Sequence, residues 1–401
     1  MNKKNNAPES IRLTQGIAYA SPIVVTSFLL YPVQIILAGM YAKYFGLALT
    51  TIASIVFAAR LFDAVTDPVI GYLSDRYRNK TGTRKPWVLV GSLCLIASSY
   101  LLFVPPTDVT AWYFLVWYIV FYLAWTVVDI PHMAWGGELT NCSHEKTRIY
   151  SVRTLCQFSG LLLYTLVPML PYFAGEGFTP ETMKWSVIGS AVIILPTLIW
   201  CLRATPNGRP SAVSPKESPN TLLVTLTNNK PLLVFIGGFF LISLGNGMYI
   251  GLTFIFADSF LGIGEKLPLI FTVSIFAGLI AASIVYKLAG LMEKAHLFAL
   301  SILLSAIALA SMAFIQPGKA AIPSFMALTA VFTFCNAIIL SIAPSMVSDI
   351  ADYGSWKSRA DHMATYFAIY LFMAKAIVGI GGALGLGLIG WYGFDAAATS
   401  H

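Results

Sequence analysis

Runs of about 20 apolar residues, separated by short polar breaks, recur from one end of this chain to the other and leave it few ways to fold. Each run is long enough to cross ~30 Å of hydrocarbon as a helix, the one open-ended structure that closes its backbone hydrogen bonds within its own segment. About eleven spans are expected, over residues 14–40, 47–74, 87–105, 111–137, 150–174, 185–204, 231–257, 267–290, 295–315, 320–348 and 362–393. A soluble core could not absorb them, because 57% of the 401 residues are hydrophobic, only 11% are charged and mean hydropathy is +0.74. The expected class is an all-α polytopic membrane protein.

A net charge of +7 raises the question of nucleic acid, and the placement of the charges answers it. Of the 25 Lys and Arg residues, nineteen fall at the N-terminus and in alternate breaks, including Lys3, Lys4, Arg76, Arg78, Lys80, Arg84, Lys85, Lys146 and Arg148. Four lie on the other side (Lys43, Lys184, Lys266, Lys319), and Arg60 and Lys375 lie inside spans. This asymmetry predicts a multi-pass protein of the cell (inner) membrane with a cytoplasmic N-terminus, basic toward anionic headgroups and not toward nucleic acid. The first apolar run is too long for a cleaved leader, so it is read as the first span. Five cysteines fall in spans or cytoplasmic breaks without metal-ligand spacing and are read as packing residues.

One break differs from the rest. Residues 204–220 are rich in Pro and Ser and lack a hydrophobic period, which marks a cytoplasmic linker. The division expected is a six-helix half over 1–204, a linker over 205–229 and a half over 230–401 with five visible helices. Either the eleventh segment hides a bend or the twelfth helix of a six-plus-six plan is missing; absence is the reading favoured. A weak echo relates the halves: Pro131 precedes Glu138 and Arg148, Pro344 precedes Asp349 and Arg359, and acid and arginine stand ten apart in both.

Charges inside a span are costly enough to need a function. Asp63 and Asp67 stand one helical turn apart, so their carboxylates repel and a bound Na⁺ or a shared proton relieves them. Arg60, three residues before Asp63, could neutralise one acid but not both. Trp125, Asp129 and His132 share a face, and an acid beside an indole suits a polyol, the acid accepting hydroxyl bonds and the ring covering an apolar sugar face. The competing readings are a packing tryptophan and a structural histidine. Arg153 and Lys375 need acidic partners, for which Asp129 and the Asp63/Asp67 pair are the candidates. Asn246, Tyr249 and Thr253 could add a polar stripe, and the glycines from Gly379 to Gly390 permit close helix contact. No Walker loop, nucleophile elbow or metal-binding helix motif appears, which argues against an ATP-driven pump or a membrane enzyme.

GlyTyrLeuSerAspArgTyrArgAsnLysThrGlyThrArgLysProTrp over 71–87 resembles the loop between helices two and three of the major facilitator superfamily. Together with AspAlaValThrAspPro before it, AspIlePro at 129–131 and SerAspIleAlaAspTyrGly at 348–354, the chain resembles the glycoside-pentoside-hexuronide:cation symporters, the melibiose permease family. The resemblance implies two helical halves and a cation-coupled symporter that works by alternating access, with no cofactor beyond a coupling ion, Na⁺ or H⁺. It places the cation at Asp63, Asp67 and Asp129, which would also be the Na⁺ ligands. It places the solute at Asp129 and Arg153 with Lys375 nearby; Trp125 and His132 join them from their shared face. The family's helix-one acid falls in the stretch 16–20, where this chain offers Tyr19, and its stacking tryptophan falls at Met133. Gating ion pairs are expected from Asp75, Arg84, Lys85, Glu138, Arg148, Asp349 and Arg359. The expected partners are membrane lipids and a small solute, a sugar or glycoside, bound by a monomer. A lysolipid or other amphiphile carrier of the same fold is the alternative, and a non-transporting receptor or scaffold is the rival from another class.

Overall fold

The computed structural model describes residues 11–106, 108–167, 170–173, 179–208, 227–358 and 361–391, and among them every long element is a helix. α1 (Leu13–Ile35) and α2 (Leu37–Phe45) occupy the first apolar run. α3 (Leu49–Thr81), α4 (Lys85–Phe103), α5 (Ala111–Glu138), α6 (Ser143–Leu166) and α7 (Pro180–Ala204) follow. After the linker come α8 (Lys230–Ile255), α9 (Leu267–Leu291), α10 (Lys294–Met312), α11 (Ala321–Ser358) and α12 (Met363–Trp391).

Local sequence explains the ends. Thr110 accepts from the Tyr113 amide to start α5, Thr179 and Thr182 cap α7 reciprocally, and Asn229 accepts from the Leu232 amide to start α8. The run expected as one span over 14–40 is two helices, broken at Ile36 four residues after Pro32, which has no N–H to give the helix; α2 ends on Gly46 at φ +69°. The span expected over 47–74 continues to Thr81 and stops at Gly82, φ +74°, because Arg and Lys propagate a helix as readily as Leu. For the same reason α6 begins at Ser143 and not at 150, with its first two turns polar.

Nine of these helices, among the described residues, are long and apolar enough to cross a membrane by length and composition. Neither α3 nor α6 is among those nine. Arg60, Asp63 and Asp67 lie on α3 and Arg153 on α6, and α3 resolves the conflict by sorting its faces: Phe57, Leu61, Val65, Val69 and Leu73 are exposed while Asp63, Asp67, Asp75 and Arg78 are buried. Polar inward and apolar outward is the pattern of a helix in lipid, and the protein is an all-α, polytopic membrane protein.

The chain divides into two compact units, one of residues 1–216 with 344–368 and the other of 217–343 with 369–401. In the first, α1 lies against α6 and α7, α4 against α5 and α7, and α3 against α5. Its core includes Leu29, Tyr41, Phe103, Phe114, Phe121 and Tyr164. Small residues set the helix spacing: a Cβ on Gly160 would meet the Val24 carbonyl, and one on Gly91 would stand 2.8 Å from Val128. In the second unit, α8 and α12 approach through Gly247, Gly251, Gly381 and Gly382, while Tyr249 of α8 packs on Phe332 of α11 with ring centroids 4.2 Å apart.

Candidate functional site

Two polar rows face one another inside the first unit. On α3, Arg60, Asp63 and Asp67 follow helical spacing; on α5, Tyr122, Thr126 and Asp129 do the same. The Arg60 guanidinium donates to Asp63 Oδ2 at 3.0 Å and lies over the Tyr122 ring, 4.1 Å from its centroid. Thr126 Oγ1 donates to Asp67 Oδ1 at 2.8 Å. Asp129 accepts from Nη2 of Arg153 on α6. All three carboxylates are buried, Asp67 completely. Each has a bond to a neighbour of its own, and among the described residues no three His, Cys, Asp or Glu side chains gather as a metal cluster.

Below this ladder, toward the α3–α4 turn, α1 and α5 are stapled. The Tyr19 hydroxyl donates to the His132 carbonyl at 2.8 Å, His132 Nε2 meets the Tyr19 carbonyl at 2.8 Å, and the two rings stack with centroids 4.1 Å apart. Gly136 makes room, since a Cβ there would strike the Tyr19 hydroxyl. Tyr150 of α6 donates to the Met133 carbonyl at 2.9 Å. Tyr19 and His132 thus belong to one packed cluster with Trp135. Trp125 is half-buried against the first unit's core.

The end of the unit that holds the α3–α4 turn carries a second set of charges. Arg84, fully buried, donates to Asp75 at 2.7 Å, to Glu138 at 2.7 Å and to Ser74 at 2.7 Å. Burial works against its charge, but Glu138 and Asp75 beside it hold the guanidinium's pKa above the usual arginine value. Arg78 reaches Glu138 at 3.3 Å and Asp361 at 3.4 Å. Asp75 also accepts from the Ala364 amide (2.9 Å), the Thr365 amide (2.8 Å) and the Thr365 hydroxyl (2.7 Å), so a carboxylate from α3 caps the positive end of α12. Lys146, with no exposure, pairs with Asp349 at 3.1 Å and with Asp352, and Ser143 donates to Asp349 at 2.6 Å.

The expected gating residues distribute over this network unevenly. Asp75, Arg84, Glu138 and Asp349 are in it. Lys85 instead donates to the Leu202 carbonyl at 2.7 Å, where α7 ends and carbonyls lack helical partners, and sits over the Trp135 ring. Arg148 bonds the Ile11 carbonyl and lies 3.6 Å from Glu145. Arg359 lies outside the described residues. Lys375 and Asn246 lie in the second unit, where Asn336 donates to Asn246 at 3.3 Å. Sequence reasoning missed Thr126, Arg78, Lys146, Asp352, Asp361 and Thr365. The three-residue step from Asp349 to Asp352 and from Asp75 to Arg78 was a usable sign of a shared face.

Comparison with known proteins gives a consistent result. The family described as "MFS/sugar transport protein" matches residues 18–401. "Inner membrane symporter YicJ" of Escherichia coli (strain K12) is 26% identical over 416 residues, covering 98% of this chain and 86% of the relative. "Uncharacterized symporter YjmB" of Bacillus subtilis (strain 168) is 27% identical, covering 89% of this chain and 79% of the relative. "Isoprimeverose transporter" of Lactiplantibacillus pentosus is 26% identical, covering 95% and 80%.

Proposed function

This chain belongs to the MFS/sugar transport family, the glycoside-pentoside-hexuronide:cation symporters of the major facilitator superfamily, and from that premise we propose that it is a cation-coupled symporter of a sugar or glycoside. The observation that carries the reading is the charge ladder. Arg60, Asp63, Asp67, Asp129 and Arg153 lie together in the spans of one unit, and their formal charges leave one negative charge over. Binding one Na⁺ or H⁺ balances the set, and a balanced set crosses a low-dielectric barrier at lower cost than a charged one.

Asp63 and Asp67 form the cation's half of this site, and Asp129 with Arg153 forms the solute's half, joined by Trp125 and His132. Coupling follows from the shared Asp129: solute binding at Arg153 changes the partners available to a carboxylate that the cation also uses, and linkage makes the effect reciprocal. The buried pairs of Asp75, Arg84, Arg78, Glu138 and Asp361, and those of Lys146 with Asp349 and Asp352, form a cytoplasmic latch that parts when the inward path opens. The density of Lys and Arg on this side supports a cytoplasmic N-terminus, and the relative's name fits an inner-membrane location.

The test is uptake by purified protein in liposomes, with radiolabelled isoprimeverose, xylosides, galactosides, glucuronides and a lysolipid, under an imposed Na⁺ or pH gradient. Gradient-driven accumulation of a glycoside, lost in Asp63→Asn and Asp129→Asn, is the expected result. Full uptake without any ion gradient overturns symport, and uptake of lysolipid alone overturns the solute class.

A further inference from the structure

Two buried polar atoms at the Asp129–Arg153 pair have no hydrogen-bond partner among the described residues: Nδ1 of His132 and Nε of Arg153. His132 has no exposure and Arg153 has 6%. An unmet polar atom at such depth costs about 1–3 kcal/mol, so something is expected to meet it in the working cycle.

The histidine cannot turn to relieve the strain. Its Nε2 stands 2.8 Å from the Tyr19 carbonyl, its ring lies on the Tyr19 ring at an interplanar angle of 14°, and Trp135 stands edge-on to it with ring centroids 6.3 Å apart. A carbonyl only accepts, so Nε2 carries the hydrogen and Nδ1 is left as a bare acceptor. Nε of Arg153 only donates, while its Nη2 is held by Asp129. Asp129 and His132 stand one turn apart on the same face of α5. A bare acceptor and a bare donor therefore flank the solute half of the site, and a hydroxyl group, which donates once and accepts twice, complements both.

We propose that His132 is a specificity-determining residue: a hydroxyl of the solute donates its hydrogen to Nδ1, while a solute oxygen accepts from Nε of Arg153. This rests on the symporter reading above and adds a requirement to it. At one ring position the solute must carry O–H. Fluorine at that position accepts but does not donate, so it leaves Nδ1 unmet and is rejected, as a site built to bond a hydroxyl rejects an analogue without one.

Conservative variants separate this role from the staple. In His132→Gln the side-chain amide nitrogen falls near the place of Nε2 and can still donate to the Tyr19 carbonyl, but no acceptor remains near Nδ1. In His132→Asn the amide falls near Nδ1 and can accept there, while the bond to Tyr19 is lost. Binding of methyl xylosides, glucosides and galactosides, and of their monodeoxyfluoro counterparts, is measured by calorimetry on the full-length protein. Wild type is expected to bind one fluorinated position tenfold or more weakly than its parent, His132→Gln to lose that discrimination and His132→Asn to keep it. Equal fluorine profiles in wild type and His132→Gln overturn the proposal and leave His132 as a staple only. So does a wild type in which no position costs more than about threefold, a result that needs no variant to fold. Absence of binding by every parent glycoside refutes instead the sugar-symport reading, and this proposal with it.

Discussion

Asp67 is completely buried, and the bond it accepts from the Thr126 hydroxyl has a single-atom test. Thr126→Val keeps the shape of the side chain and removes this donor to a buried carboxylate, a bond worth about 1.5–3 kcal/mol. The purified protein is expected to lose that much stability, read as a lower unfolding temperature, and Thr126→Ser is expected to restore most of it. A larger loss in Ser than in Val would show that the methyl group, and not the hydroxyl, is what matters there. The acids themselves were legible, because a charge in an apolar run announces itself and a spacing of four places two on one face. Thr126 was not: a threonine is unremarkable in a span, and 59 residues separate it from Asp67. His132 was visible as a polar residue on the right face, but its tautomer depends on a backbone carbonyl of Tyr19, which no sequence pattern marks.

The places of the helices were legible because each had to be apolar for the length of a membrane, whereas their ends followed rules that hydropathy does not see. The extension of α3 to Thr81 is one case, and the start of α12 is another. That start is capped by Asp75, which stands 289 residues before the amide of Ala364 and is invisible to any local capping rule. Asp75→Asn keeps an acceptor but removes the charge that faces both the helix end and Arg84, at a cost of about 1–2 kcal/mol that thermal unfolding would register. Asp75→Ala, which removes the acceptor as well, is expected to cost more; equal effects would mean that the cap itself contributes little. Contact between α1 and α6 depends on Gly160, and Gly160→Ala drives a methyl group into the Val24 carbonyl. Overpacking there is expected to cost about 1–3 kcal/mol, with Gly189→Ala, which meets nothing within 4 Å, as the silent control.

Residues 344–368 join a unit built mainly from the first 216, and the charges that hold them there are largely buried. Sequence showed the charges as positive-inside asymmetry and as an acid–arginine echo, but neither said which acid meets which cation. Pairing depends on which helix ends meet, and that is a property of the tertiary fold. Lys146 gives the sharpest test of what the pairing does. With no exposure of its own, it faces Asp349 and Asp352, whose side chains are about a third exposed (33% and 34%), so solvent screens part of the interaction. Lys146→Met leaves two neighbouring carboxylates without their cation, and a loss of about 1–2 kcal/mol is expected after that screening. If this contact is part of a latch, amides of 344–358 should exchange with deuterium roughly tenfold faster, while amides of α9 and α10 in the second unit keep their rates. Adding Asp349→Asn and Asp352→Asn to Lys146→Met removes the stranded charges, and replacement of a whole buried ionic set by neutral groups is tolerated far better than removal of one partner. Protection should therefore return toward wild type in the triple variant. Its failure to return would mean that the lysine's stem, and not its charge, keeps this segment in place.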